Sequence, residues 1–165
     1  MSILTFNLSQ KPFIYDMVTK LLLKKYQKSK FIFIDYPDKK KLYLKFKNAE
    51  FISHNHFIKA KFKKQNNFFL GIDFYKKNIF SEKKINQILS RYQINHDTFD
   101  SYDRIIYIKN ILKYYGDFIV NNKIKWVIFY DYPHHIDTYP FYVLAKYLKI
   151  KITIISYLYL LGNYR

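Results

Sequence analysis

Five consecutive hydrophobic residues, Trp126 to Tyr130 (WVIFY), lie between two stretches of helical periodicity, and no other feature of the chain narrows the fold as much. Side chains alternate between the two sides of a strand, so an unbroken apolar run puts hydrophobic groups on both faces of a sheet. Both faces then need cover, as in a parallel sheet with helices on each side. Upstream, Ser101 to Asn121 repeats Ile105, Ile108, Leu112, Tyr115 and Ile119 at spacings of three and four, with Ile111 and Phe118 beside them. This predicts a long amphipathic helix. Gly116 lowers helix propensity and suggests an early stop. Downstream, a polar loop from Asp131 to Asp137 leads to a second helix, which Asp137 or Thr138 is placed to cap, with Pro140 in its first turn. Its buried face would carry Phe141, Leu144, Ala145 and Leu148, with Lys146 and Lys149 outward. Ile150 to Ile155 then reads as another strand. Strand, helix and strand in that order make a parallel crossover unit.

The rest of the chain is compatible with more of the same architecture. Ile3 to Leu8 is a short apolar run and a first strand. The turn Ser9 to Pro12 follows, with Pro12 suited to a helix's first turn. Ile14, Met17, Val18, Leu21, Leu22 and Tyr26 then share one helical face. Phe31 to Ile34 reads as a buried strand that stops at Asp35, Tyr36 and Pro37. Leu42, Leu44 and Phe46 alternate with lysines, as in a half-buried strand, and Phe68 to Phe74 is a further strand candidate. Ser81 to Tyr92 reads as a helix with Ser81 as its cap and Ile85, Ile88, Leu89 and Tyr92 on one face. The fold expected is α/β: a Rossmann-like three-layer domain with a mainly parallel sheet, filling residues 1–165. The last strand has no helix after it to cover it, so the chain is expected to be one lobe of something larger.

Composition excludes several chemistries. Half of the 165 residues are hydrophobic and 21% are aromatic, which argues against disorder. The chain has no cysteine, so disulfides, thiolate metal sites and cysteine nucleophiles are ruled out. The formal net charge is +17, almost all of it lysine; Arg91, Arg104 and Arg165 are the only arginines. Base and phosphate recognition favours the planar fork of arginine, so a nucleic-acid partner is not expected. A solvated lysine surface is the first reading, and contact with anionic lipid or an anionic substrate the second. No stretch approaches the roughly 18 apolar residues that a membrane helix needs. The N-terminus has no basic leader before its apolar residues. The expected location is the cytoplasm, with peripheral contact at the inner membrane face as a variant.

The densest polar cluster is Asp131, His134, His135 and Asp137, directly after the strand Trp126 to Tyr130. In open parallel sheets ligands bind beyond the carboxyl ends of the strands. Histidine titrates near neutral pH and serves as acid or base. Three readings are open: contact with a sugar or phosphate substrate, a structural role in capping the helix or pairing with an aspartate, and metal ligation. The last is disfavoured, because adjacent histidines point in different directions and no third follows at helical spacing. His54 and His56, and His96 with Asp97 and Asp100, read as ordinary polar patches and caps. The turn that contains Ser9 would lie on the same sheet edge as the histidine loop, which makes Ser9 a substrate-contact candidate. Only Gly71, Gly116 and Gly162 are glycines, so neither the dinucleotide fingerprint nor the phosphate loop of the nucleotide triphosphatases is present. No cofactor is expected. No G-x-S-x-G elbow supports a small hydrolase.

The segment WVIFYDYPHHIDTYPFYVLAKYLKIKITIISY, Trp126 to Tyr157, resembles bacterial capsule and surface-polysaccharide biosynthesis proteins. The matching residues are Pro133, His134, Asp137, Tyr142, Ala145 and Lys146. The resemblance implies a glycosyltransferase-like protein of two Rossmann-like lobes, of which this is the first, acceptor-side lobe. It implies His134 as acceptor contact or base, Asp137 as the residue that orients the loop or caps the helix, and Asp131 and His135 in the same loop as further substrate contacts; Ser9 joins them only through its expected place on the sheet edge. The partners implied are a sugar or polysaccharide acceptor and a nucleotide-sugar donor held by the absent second lobe. The competing expectation is a non-catalytic basic module that binds a polyanion or a membrane surface.

Overall fold

The computed structural model describes residues 1–6, 20–22, 24–34, 49–53, 68–77, 83–85, 87, 101–135 and 138–155. Among the described residues five strands form one sheet: β1 (Ser2–Phe6), β2 (Lys30–Ile34), β3 (Ala49–Ile52), β4 (Ile124–Phe129) and β5 (Lys151–Ile154). Their order across the sheet is β3-β2-β1-β4-β5, and every neighbouring pair is parallel. The described helices include α1 (Ile72–Lys77), α2 (Ser101–Asn121) and α3 (Thr138–Tyr147), and residues 20–22, 24–25, 83–85 and 87 are also helical.

The unbroken apolar runs find cover on both faces, as their sequence requires. On one face Leu4, Phe6, Ile32, Ile34, Val127 and Phe129 pack with Ile108, Ile111, Leu112, Tyr115 and Ile119 of α2, Phe141, Leu144 and Ala145 of α3 and Phe74 of α1. On the other, Ile3, Phe31, Phe33, Trp126, Ile128 and Tyr130 form a second cluster with Leu22 and, half-buried, Tyr26. The crossover β4-α3-β5 holds the expected faces: Phe141, Leu144 and Ala145 are buried and Lys146 and Lys149 exposed. The sheet is flanked by helices in a Rossmann-like arrangement.

Four expectations change. Phe68 to Phe74 is not a strand: residues 68–71 have no regular structure and α1 begins at Ile72. Asp73 in the first turn suits the positive end of the helix, and Phe74 packs edge-on against Tyr147, ring centroids 4.9 Å apart. Gly116 does not end α2, which continues to Asn121; the glycine is there because the Phe68 ring lies where its Cβ would be. Leu21 is 62% exposed and leaves Leu22 to fill the core, and Ile105 at 37% sits at the edge of the α2 contact stripe. The candidate strand at residues 42–46, the caps at Ser81 and Asp100, and Ile88, Leu89 and Tyr92 lie outside the described residues.

The helices α2 and α3 are both followed by backbone geometry that usually calls for glycine. Lys149 has φ 56°. The amide of Ile150 donates to Ala145 O at 2.9 Å and that of Lys149 to Lys146 O at 3.1 Å. These are the two bonds of a Schellman C-cap, with lysine in the left-handed position that glycine normally fills. Lys123, φ 51°, turns the chain from α2 into β4 in the same way, and Asn122 Nδ2 caps Phe118 O at 3.0 Å.

Candidate functional site

The strand order places the histidine loop. β1 lies at the centre, with β2 on one side and β4 on the other, so the chain's direction of travel across the sheet reverses between β1 and β4. Crossovers diverge at such a point, and in open parallel sheets ligands bind there, beyond the carboxyl ends of the strands. Phe6 and Phe129 are register partners at those ends. Their rings stack at 5.1 Å and 12°, and Phe141 closes on Phe6 edge-on at 5.0 Å. This aromatic layer belongs to the core between the sheet and the helices α2 and α3. Past it, the amide of Tyr130 still donates to Phe6 O at 3.1 Å, so the loop leaves from a fixed point beside β1.

Within the loop, polar side chains hold the backbone before they can reach anything else. The Tyr132 amide donates to Asp131 Oδ1 at 2.7 Å. His134 Nδ1 lies 2.6 Å from the Tyr132 carbonyl oxygen. A carbonyl only accepts, so Nδ1 carries the proton, and in the neutral ring Nε2 presents its lone pair. Pro133 between them is buried and His134 is exposed. The His134 and His135 rings lie against each other, centroids 4.0 Å apart and planes inclined by 39°.

The loop joins α3 through His135 rather than through Thr138. His135 O accepts the Tyr139 amide at 2.9 Å, a bond of helical spacing. Thr138, 0% exposed, reaches back: its hydroxyl accepts from the His135 amide at 3.3 Å and lies 3.4 Å from His135 O as a donor. The geometry is the returning half of a capping box, with a side chain three residues on satisfying the N-terminal amide. The expected capping role of Thr138 is thus corrected in direction.

Of the expected site residues, His134, His135 and Asp131 come together on one rim. Asp137 and Ser9 lie outside the described residues, as do His54, His56, His96, Asp97 and Asp100. Among the described residues no group of three or more His, Asp or Glu side chains is arranged to hold a metal ion, and no helix is long and apolar enough to cross a membrane. Sequence reasoning passed over Tyr132, which is 55% exposed and whose own amide and carbonyl are both hydrogen-bonded by neighbouring side chains. The signal was present in the pattern Asp-Tyr-Pro-His, where two local hydrogen-bonding residues flank an aromatic one. Chemically, the rim offers a pinned imidazole with an outward acceptor nitrogen, suited to take a proton from a hydroxyl. No family model matches the chain, and no curated protein or solved structure shows significant similarity to it.

Proposed function

We propose that this chain is the acceptor-side lobe of a glycosyltransferase-like protein of surface-polysaccharide biosynthesis. The observation that carries the reading is the His134 imidazole, fixed through Nδ1 to the Tyr132 carbonyl at the carboxyl end of β4, beside β1, with Nε2 left to act. The resemblance over residues 126–157 supplies the reaction class. In that reaction an acceptor hydroxyl attacks the anomeric carbon of a nucleotide sugar. Nε2 of His134 takes the hydroxyl proton as the new C–O bond forms, and the bond to the nucleoside diphosphate breaks, its electrons leaving with the phosphate oxygen. His135 supports the His134 ring and Asp131 holds the loop. Asp137 keeps the role that the resemblance implies, orientation of the loop, and Ser9 the substrate contact expected of the turn after β1. The donor belongs on a second α/β lobe, in the same polypeptide or a partner chain.

The test is transfer from nucleotide-sugar donors to capsular oligosaccharide, measured with the second lobe supplied. His134→Ala should lower kcat by about 10²–10⁴-fold, the usual worth of a general base, while leaving the melting temperature in place. Transfer unaffected by His134→Ala and by His134→Ala with Asp137→Asn would refute the assignment.

A further inference from the structure

Because every described strand runs the same way, all five amino ends lie along one edge of the sheet, opposite the histidine rim. Three of the five are entered through the same pattern. The chain enters β2 through Lys28-Ser29-Lys30, β4 through Lys123-Ile124-Lys125 and β5 through Lys149-Ile150-Lys151. In each the outer lysines are exposed and the residue between them is buried or half-buried. Across the order β2-β1-β4-β5 these pairs span three strand spacings, about 14 Å at the usual separation. Glu50 is the only acidic residue on the described strands and engages Lys30 at 2.8 Å. Lys30 also reaches Asn122 Oδ1 at 3.4 Å, and Lys151 lies over the Trp126 ring at 4.0 Å. Lys28, Lys123, Lys125 and Lys149 make no ion pair among the described residues. Asp117, one turn before the end of α2, has its Oδ2 sealed from solvent.

A local structural role explains only part of this row. Lys28, Lys123 and Lys149 follow helix ends, where the dipole favours a cation, but Lys125, inside β4, is not accounted for in that way. Several like charges within about a Debye length of 8 Å repel one another, a cost that a facing anion would remove. We propose that this lysine edge is a docking face for an anionic lipid bilayer. The edge is a row of exposed point charges without arginine. That chemistry fits a laterally fluid, flat array of headgroups, whereas nucleic acid is gripped by directional forks and stacked rings. The inference stands on the parallel topology and the three lysine pairs, and does not depend on the glycosyltransferase reading.

The experiment is flotation of the full chain with equimolar phosphatidylcholine–phosphatidylglycerol vesicles, with pure phosphatidylcholine vesicles as the comparison. The edge variant carries Lys28→Gln, Lys123→Asn, Lys125→Gln and Lys149→Asn, the asparagines suiting the left-handed positions. The charge-matched variant carries Lys76→Gln, Lys77→Gln, Lys109→Gln and Lys113→Gln, all exposed on α1 and α2. Each edge lysine is worth about fivefold in affinity, so the edge variant should bind roughly several-hundredfold more weakly and the charge-matched one within about tenfold of wild type. If the edge variant does not fold, acetylation footprinting of the wild-type chain on vesicles decides. Protection of Lys28, Lys123, Lys125 and Lys149 over Lys109 and Lys113 supports the proposal. Equal losses in both variants, uniform protection, no preference for the anionic vesicles, or tighter edge-dependent binding to single-stranded RNA would each overturn it.

Discussion

Replacing Gly116 by alanine tests whether a glycine deep in a helix is set by its neighbour. A Cβ there would fall inside the Phe68 ring, closest to Cδ1, Cγ and Cε1. These are ring-body atoms rather than a free end, so the whole side chain has to leave α2. Phe68 is half-buried and packs against the main core cluster. Overpacking of this kind costs about 1–3 kcal/mol. Alanine in place of glycine in a helix interior returns about 1 kcal/mol. The balance for Gly116→Ala is a loss of about 1 kcal/mol. In a Phe68→Ala background the clash is gone and only propensity remains, so the same change should stabilise by about 1 kcal/mol. The sign reverses, and the coupling between the two positions is about 2 kcal/mol. Urea denaturation of the four proteins, followed by far-UV circular dichroism and compared at a shared slope, measures it. A wild-type background in which Gly116→Ala stabilises, with no coupling to Phe68→Ala, would show that the ring is not seated on the glycine.

Three further changes probe other joints. Lys149→Gly relieves the left-handed strain at φ 56° and should raise stability by about 1 kcal/mol, or about 2–4 °C in melting temperature for a domain of this size; a lowered melting temperature would contradict the Schellman assignment. Thr138→Ala strips His135 of its hydroxyl partner and should cost about 1 kcal/mol, with Thr138→Ser retaining most of it in thermal melts. Burial raises the Tyr114 phenol above its ordinary value of 10.0. The unfolded chain therefore ionises first. The stability is whole below pH 10 and is lost as pH rises through the folded-state value. Tyr114→Phe should accordingly flatten the alkaline fall in stability, read as the difference between the two proteins' melting temperatures across that range. An identical fall in both would remove Tyr114 from the account.

What could be read from residues alone follows the range of the forces involved. The α2 stripe from Ile108 to Ile119 and the two-faced β4 run are local patterns that burial only completes, and both were visible in the sequence. Gly116 was misread because its reason lies 48 positions away, in Phe68. The segment around Phe74 was misread because a six-residue helix is too short to display a period, and its identity is settled by Tyr147 and the core. At the site, the placing of His134 beyond β4 was readable from the strand that precedes it. The grip on Tyr132 and the reversed role of Thr138 were not, since each depends on backbone hydrogen bonds that residue types permit but do not impose. The three lysine pairs are plain in the chain, yet only the strand order brings them to one edge.

A sheet whose described strands all run one way gives a protein a heel and a crown. β4, the longest described strand at six residues, measures about 20 Å from end to end at the usual rise per residue. With the lysines standing on lipid, the imidazole would look away from the bilayer at that height. Short headgroups would pass beneath it, and a substrate tethered to the same membrane would be met only where its chain had grown long enough to climb the side of the molecule.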